Sequence, residues 1–308
     1  MLPDPLATQP PITIAVTGAT GLIGSALVQR LEAHGHTVRR FVRSPKAARQ
    51  GDVVWDAERN DLPVGALDGV HAVVNLAGAP IAKRWTAERK HDIRASRVTA
   101  TEKLAQAIAS MNEKPFALLN ASAVGYYGDR GDEVLSESST PGRDFLAGVC
   151  VEWERATSPV SDAGVRVVLL RTGVVLSKDG GALTKMLPPF RLGMGGPLGG
   201  GEQWMSWIAL EDHLHAVEHC LFVDRVRGAV NLVAPNPVRN SHFATTLGRV
   251  LARPAVIPVP AMALTLMYGE MARETILASQ RALPDALAAS GFDFRHPTLE
   301  GAIRAMLE

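Results

Sequence analysis

The chain has 308 residues, which is enough for one large α/β domain or for two lobes. Its 32 Lys and Arg residues balance 31 Asp and Glu residues, and a net charge of +1 argues against nucleic acid or an anionic membrane surface as a partner. The only two cysteines, Cys150 and Cys220, lack metal-ligand spacing. We therefore expect reduced, buried thiols, no metal site and a cytoplasmic location. The apolar runs are too short or too interrupted to span a bilayer.

The chain begins with a Pro-rich segment. Residues 1–11 contain four prolines and no basic start, which predicts a flexible tail rather than a signal peptide. From residue 12 onward, short β-branched runs alternate with segments of helical periodicity, which is typical of a parallel sheet with crossover helices. Strands are predicted at 12–18, 37–43, 52–55, 71–78, 116–122 and 165–173, and helices at 21–35, 86–111 and 144–163.

The alternation loosens after residue 178. Glycines crowd into 191–201, which predicts a mobile loop that could close as a lid. A late strand is predicted at 229–235 and a helix at 240–251. The predicted fold is therefore α/β, with a Rossmann-type doubly wound parallel sheet at 12–178. A smaller C-terminal α/β substrate lobe is predicted at 179–308, and its segments can cross back onto the first lobe.

The stretch TGATGLIG carries glycines at the spacing of a dinucleotide-binding turn. It follows an apolar strand and opens an amphipathic helix, which is the context that such a turn requires. Glycine is needed where the chain turns with positive φ and where phosphates approach the backbone, and the helix N-terminus attracts the pyrophosphate. The residues of this turn expected to touch the cofactor are Gly18, Thr20, Gly21, Leu22, Ile23 and Gly24.

The end of the second strand indicates which dinucleotide binds. An acidic residue there would bind the ribose 2′-hydroxyl of NAD, but this chain has Arg43 and Ser44. A guanidinium can pair with a 2′-phosphate, so the pattern favours NADP(H) over NAD, although an ordinary solvated arginine is the alternative. Asp56 is placed to meet the adenine edge, or it caps a local turn.

Small residues end the fourth strand. Leu76, Ala77 and Gly78 let the backbone lie against the dinucleotide, or they serve tight turn packing. In the helix that follows, Arg97 falls on the apolar stripe and is expected to point inward. A buried guanidinium needs an anionic partner, and a cofactor phosphate or an internal carboxylate would serve, unless the side chain reaches the protein edge. Val175 completes the predicted cofactor contacts.

Several motifs in order make the chain resemble the extended short-chain dehydrogenase/reductase superfamily. They include TGATGLIG, NLAG after the fourth strand and SAVGYYG at 122–128. More narrowly, the chain is similar to the uncharacterised epimerase family branch, which is also described as nucleoside-diphosphate-sugar epimerases. The cues are RWTAERKHDIRASR, RTGVVLSKDGGAL, PFRLGMGGPLGGGEQWMSWI and ALPDALAASGFDF. The resemblance implies a Rossmann lobe, a substrate lobe and NADP(H).

The superfamily's chemistry uses a Ser or Thr together with a Tyr-x-x-x-Lys pair, and only Ser122 carries over. In DFLAGVCVEWE at 144–154, the resemblance puts Asp144 or Phe145 at the tyrosine position and Gly148 or Val149 at the lysine position. We expect this segment to be a packing helix with Asp144 as its N-cap. Any proton transfer is then expected from Ser122, Tyr126 and Tyr127, although a tyrosine here can also only pack against the nicotinamide.

Two functional hypotheses follow. The first is an NADP(H)-binding oxidoreductase or epimerase that acts on a small polar, sugar-nucleotide-like substrate. The second is a non-catalytic NADP(H)-binding sensor or partner protein, because a tyrosine without its lysine is a poor base at neutral pH. A small-molecule substrate and a homodimer are compatible with the sequence, which names neither the substrate nor the direction of reaction.

Overall fold

The computed structural model describes residues 9–308, so residues 1–8 of the predicted tail at 1–11 lie outside the described residues. In this part of the chain the strands are β1 Thr13–Thr17, β2 Thr37–Val42, β3 Val53–Val54, β4 Ala72–Asn75, β5 Ala117–Ala123, β6 Val134–Leu135, β7 Arg166–Thr172, β8 Val174–Ser177, β9 Trp204–Met205, β10 Trp207–Ala209, β11 Gly228–Leu232, β12 Val238–Arg239 and β13 Arg281–Ala282. The helices are α1 Leu22–Ala33, α2 Ala87–Ala95, α3 Val98–Ser110, α4 Phe145–Arg155, α5 Ser158–Asp162, α6 Gly181–Arg191, α7 Leu210–Phe222, α8 Asn240–Val250, α9 Ala261–Tyr268, α10 Asp285–Ala289 and α11 Leu299–Leu307. Short 3₁₀ turns cover Pro45–Ala47 and Val124–Tyr127, and a π-helical turn covers Ala272–Ile276.

Seven strands of the described chain form one parallel sheet in the order β11-β7-β5-β4-β1-β2-β3. This confirms the predicted Rossmann-type doubly wound sheet. The strand order reverses between β1 and β4, and ligands of such sheets bind at the carboxyl ends of the strands on either side of that reversal. The glycine turn after β1 and the loops after β4 and β5 meet at this edge.

Side-chain alternation along β1 builds a core on both faces of the sheet. Ile14 and Val16 pack with Leu27 of α1 and Val217 of α7, whereas Ala15 packs with Leu104 of α3 on the opposite face. All six of these side chains are almost completely buried. Because both faces are covered by helices, the strands read as nearly continuous apolar runs in the sequence.

Two helices predicted as continuous are each broken by a hydroxyl side chain. The predicted helix 86–111 is wrong in this respect, because α2 ends before Ser96 and α3 begins after Arg97. The Ser96 hydroxyl donates to the Ile93 carbonyl oxygen and accepts from the Ala79 amide, so it competes with the helical hydrogen bonds. The predicted helix 144–163 divides similarly into α4 and α5, where Thr157 bonds back to an earlier carbonyl.

The chain beyond residue 178 joins the first lobe at several points. Strand β11 extends the main sheet beside β7, and three two-stranded sheets pair β10 with β8, β12 with β9 and β13 with β6. The C-terminal elements also have an apolar core of their own, which includes Phe243, Leu247 and Ile303. Within residues 9–308, no helix has the length and apolar character needed to cross a membrane.

The glycine-rich segment 191–201 is held in place by backbone hydrogen bonds. The Ile257 amide donates to the Gly195 carbonyl oxygen, and the Val259 amide donates to the Pro197 carbonyl oxygen. A Cβ atom on Gly196 would lie 2.1 Å from the Ile257 carbonyl oxygen, so the glycine allows two backbones to touch. These glycines therefore serve close packing, and the mobility of the segment stays a prediction.

Candidate functional site

The turn between β1 and α1 has the geometry that backbone recognition of phosphates requires. Gly18 has φ of +67°, and a Cβ atom there would lie 2.6 Å from the Leu76 carbonyl oxygen. A Cβ atom on Gly24 would lie 2.2 Å from the Gly18 carbonyl oxygen. Gly21 is the N-cap of α1 and offers no side-chain cap, so the first-turn N–H groups can receive an anion. A dinucleotide pyrophosphate therefore fits this turn.

The loop after β4 is fixed against the turn by one threonine. The Thr17 hydroxyl donates to Asn75 Oδ1 at 2.6 Å and accepts from the Leu76 and Ala77 amides at 3.1 and 3.2 Å. Thr17 and Asn75 are almost fully buried. The predicted cofactor residues Leu76 and Ala77 are thereby brought to Gly18, and the hydrogen bonds hold their backbone rigidly.

The segment after β8 also reaches the glycine turn. A Cβ atom on Gly180 would lie 3.2 Å from a methyl carbon of Leu22, so these two segments are in contact. Val175 belongs to β8, where it pairs with Ile208 of β10. The segment that contains Val175 and Gly180 therefore lies next to the glycine turn, on the same side as Leu22. The role of Val175 in cofactor binding stays a prediction.

The three predicted adenine-end residues lie beyond β2 and β3. Arg43 and Ser44 are exposed, and the Ser44 hydroxyl accepts from the Lys46 amide as the cap of a 3₁₀ turn. The Asp56 carboxylate accepts from the Glu58 amide and lies 3.6 Å from the Arg59 guanidinium. Asp56 therefore has the turn-capping role that the sequence left open as an alternative.

Arg97 lies in the break between α2 and α3. Its guanidinium donates to the carbonyl oxygens of Ile93 and Ala79, both at 3.1 Å, and lies 5.2 Å from the centre of the Trp153 ring. A Cβ atom on Gly78 would lie 3.1 Å from the guanidinium carbon, so this glycine makes room for the arginine. Burial lowers the pKa of Arg97. The predicted inward orientation is confirmed.

The helix that would carry the Tyr-x-x-x-Lys pair faces the loop after β5 with Leu146 and Cys150. A Cβ atom on Gly125 would lie 2.9 Å from Leu146 Cδ2 and 4.0 Å from Cys150 Sγ. These two positions have the four-residue spacing of the pair and lie one or two residues beyond those that the resemblance gave, so the register of the missing pair stays a prediction. Burial raises the pKa of the Cys150 thiol to about 12. Neither side chain can exchange a proton near neutral pH.

The other predictions for this helix are confirmed. Asp144 is its N-cap and accepts from the Ala147 amide at 2.8 Å. As expected of a packing helix, Leu146, Val149 and Trp153 of α4 are buried, and so are Ala156 and Val160 beyond its end. The helix packs on the sheet, and at positions 146 and 150 it brings to the loop after β5 no group that ionises near neutral pH.

A buried ion pair that sequence reasoning missed lies directly beside Ser122. The Arg171 guanidinium binds both carboxylate oxygens of Glu154 at 2.8 Å, and the Ser122 hydroxyl donates to Glu154 Oε1 at 2.7 Å. Arg171 lies inside the apolar strand VRVVLLRTG, and a charge in such a run was the available signal. Ser122 and Arg171 are register partners on β5 and β7, which explains why they share one carboxylate.

The two adjacent tyrosines have different environments. The Tyr127 side chain is completely buried, its hydroxyl donates to Asn231 Oδ1 at 2.7 Å, and Arg171 Nη1 donates to it at 3.1 Å. Burial raises the pKa of Tyr127. This placement corrects the expectation that Tyr127 carries protons, because its hydroxyl is enclosed and already bonded. Tyr126 is half-buried, and Arg171 lies 3.5 Å from the centre of its ring.

Comparisons with known proteins agree with this geometry. The family described as "NAD dependent epimerase/dehydratase family" matches residues 14–231, from β1 through most of β11. The chain belongs to that family. A second match, to a domain of unknown function designated DUF1731, covers residues 259–306. The family therefore accounts for the sheet, and the C-terminal match accounts for most of the segments that pack beside it.

The relatives carry equally general names. An epimerase family protein of Mycobacterium bovis is 45% identical over 291 residues, which is 94% of this chain and 96% of that protein. The human epimerase family protein SDR39U1 is 36% identical over 96% of this chain and 99% of its own length. The family resemblance inferred from the sequence is confirmed.

Two solved structures extend the comparison. The crystal structure of human SDR39U1 with NADPH has a TM-score of 0.88 and 35% identity, and the match covers 96% of this chain and 99% of that one. A structure named nucleoside-diphosphate sugar epimerase from Corynebacterium glutamicum has a TM-score of 0.79 and 40% identity, over 97% of this chain and 58% of that one. The fold described above is thus shared with related proteins of known structure.

Proposed function

We propose that this protein is an NADP(H)-dependent oxidoreductase or epimerase that acts on a small polar substrate. The observation that carries the proposal is the glycine turn, where a side chain at Gly18 or Gly24 would collide with backbone. NADP(H) bound there would supply hydride transfer. The turn residues and the backbone of Leu76 and Ala77 would hold the pyrophosphate and its neighbouring ribose.

NADP(H) is favoured over NAD(H) by the charge at the adenine end. Arg43 is exposed at the end of β2, and no carboxylate of the described chain lies within ion-pair distance of it, so it is available to a 2′-phosphate. The human relative with NADPH bound supports this choice. Removing one charge-assisted contact costs roughly 1.5–3 kcal/mol, so Arg43→Ala should weaken NADPH binding about 10-fold or more. NADH binding should not change, and equal wild-type affinities for NADPH and NADH would refute the assignment.

We propose Tyr126 as the group that exchanges a proton with the substrate oxygen. Its hydroxyl has no hydrogen-bond partner among residues 9–308, and the Arg171 guanidinium lies 3.5 Å from the centre of its ring, which holds the ring in place. The Ser122 hydroxyl donates a hydrogen bond to Glu154, so its oxygen can still accept a hydrogen bond from a substrate hydroxyl. Ser122 would then position the substrate, and the Tyr127 hydroxyl would hold Arg171 in place by accepting its hydrogen bond.

The substrate is proposed to bind against the C-terminal lobe at 179–308. A sugar-nucleotide-like compound is supported by the name of the Corynebacterium glutamicum relative, which is 40% identical. The test is NADPH oxidation and NADP⁺ reduction with a panel of carbonyl compounds and nucleoside-diphosphate sugars. Tyr126→Phe should lower turnover strongly, with the affinity for NADPH unchanged. Full activity in that variant would exclude Tyr126 as the proton carrier.

A non-catalytic NADP(H)-binding sensor is the second candidate. Leu146 and Cys150 favour it, because apolar and un-ionised groups occupy the positions from which a tyrosine and a lysine would act. Tight NADPH binding without turnover on the whole panel would decide for the sensor.

We place the protein in the cytoplasm, and its two free, buried cysteines are consistent with that location. We also propose a homodimer, which light scattering would test.

A further inference from the structure

Arg97 lies where three parts of the site converge. The loop after β4 touches the guanidinium through Gly78 and Ala79, and α4 approaches it with Trp153. Cys150, one turn earlier on α4, faces the loop after β5. Arg97 thus sits between the ends of β4 and β5, on the side of the switch point opposite to Arg43.

The charge of Arg97 has no counter-ion in the described chain. No Asp or Glu of residues 9–308 lies within ion-pair distance of it, and two of its five N–H groups donate to backbone carbonyl oxygens. An arginine stays protonated even when burial disfavours the charge, so this cation requires electronegative partners. A neighbouring arginine shows the contrast, because Arg94 on the exposed side of α2 is paired with Glu152 at 2.5 Å.

The position of Arg97 along the sheet edge determines which part of the cofactor its guanidinium can contact. A dinucleotide lies across the carboxyl ends of the strands, with its adenine half beyond β2 and its pyrophosphate at the turn after β1. The opposite half must then lie over β4 and β5, where the Arg97 guanidinium and Ser122 are found. That half carries the hydroxyls of the nicotinamide ribose, together with the carboxamide oxygen and the adjoining phosphate.

We propose that Arg97 binds the nicotinamide ribose of NADP(H) and supplies there the positive charge that a lysine at position 150 would otherwise provide. The inference rests on the proposed binding of NADP(H) at the glycine turn. Cys150 faces the loop after β5 and brings no charge to it, whereas the guanidinium approaches Trp153, one turn further on α4, from the break between α2 and α3. In this proposal the cation beside the cofactor comes from that break instead of from α4.

The first test compares NADPH with adenosine 2′,5′-bisphosphate, which lacks the nicotinamide half. Loss of a hydrogen bond to a charged group costs roughly 1.5–3 kcal/mol, so Arg97→Met should weaken NADPH binding about 10- to 100-fold. Its affinity for adenosine 2′,5′-bisphosphate should stay at the wild-type value. The control Arg94→Met, an exposed arginine one turn away, should bind both ligands normally. Unchanged NADPH affinity in Arg97→Met, or equal weakening of both ligands, would overturn the inference.

The second test moves the charge back to α4. Arg97→Ala with Cys150→Lys should recover NADPH affinity that Arg97→Ala alone loses, because the lysine would enter the vacated space. Cys150→Lys alone should lower the melting temperature by setting two cations together, and the double variant should melt at a higher temperature than Cys150→Lys. A folded double variant with no recovery would show that Arg97 acts elsewhere. Failure of wild-type protein to bind NADPH would instead refute the proposed function itself, and the inference with it.

Discussion

Replacing Tyr127 by phenylalanine removes one oxygen atom from the interior of the protein. That oxygen donates to Asn231 Oδ1 at 2.7 Å and accepts from Arg171 Nη1 at 3.1 Å, and the side chain is completely buried. Arg171 keeps Glu154 and the Glu137 carbonyl oxygen as partners, so the main loss is an acceptor on Asn231 that stays buried without its donor. A buried unsatisfied polar group costs roughly 1–3 kcal/mol. The free energy of unfolding should fall by about that amount.

Tyr126→Phe is the matched control, because the neighbouring hydroxyl has no partner within the described residues. Its effect on stability should stay below about 0.5 kcal/mol, as for most surface changes. Urea unfolding of both variants and of wild type measures the difference, and NADPH titration should show equal affinities in all three. If Tyr126→Phe destabilised the protein as much as Tyr127→Phe, the assignment of one tyrosine to the core and the other to the site would be wrong.

Three further changes test other parts of the structure. Gly24→Ala should abolish NADPH binding, because the added Cβ meets the Gly18 carbonyl oxygen, and binding at the wild-type level would contradict the turn geometry. Glu154→Gln leaves the buried Arg171 charge without its carboxylate, so chemical denaturation should show a loss of roughly 3–5 kcal/mol, and a negligible loss would mean that the pair is not buried. Burial, with a hydrogen bond that the protonated carboxyl donates to Glu270, raises the pKa of Glu274 to about 7 from 4.5. The folded state therefore holds this proton more tightly than the unfolded state, and the free energy of unfolding should fall between pH 4.5 and about pH 7. Glu274→Gln should reduce that fall, measured by unfolding at several pH values, and an unchanged slope would exclude Glu274 as its source.

The sequence by itself determined the sheet and the cofactor turn, because both depend on local patterns. Short apolar runs that alternate with helical segments identified the main strands, with ends correct to within one or a few residues. The spacing of Gly18, Gly21 and Gly24 identified the turn. The apolar stripe of α3 also predicted that Arg97 points inward. In each case the relevant contacts repeat at the period of a strand or a helix, or they lie within a few residues of one another.

Tertiary structure alone decided which polar groups meet. Glu154 and Arg171 are 17 residues apart, and Tyr127 and Asn231 are 104 apart, so no local pattern relates them. Composition predicted a glycine-rich loop at 191–201, but it could not show that this loop forms backbone hydrogen bonds with the distant residues Ile257 and Val259. The tyrosines could not be told apart in the sequence, because their difference is burial against partners from other strands. A buried hydroxyl needs a partner, and where the chain brings that partner is a property of the whole fold.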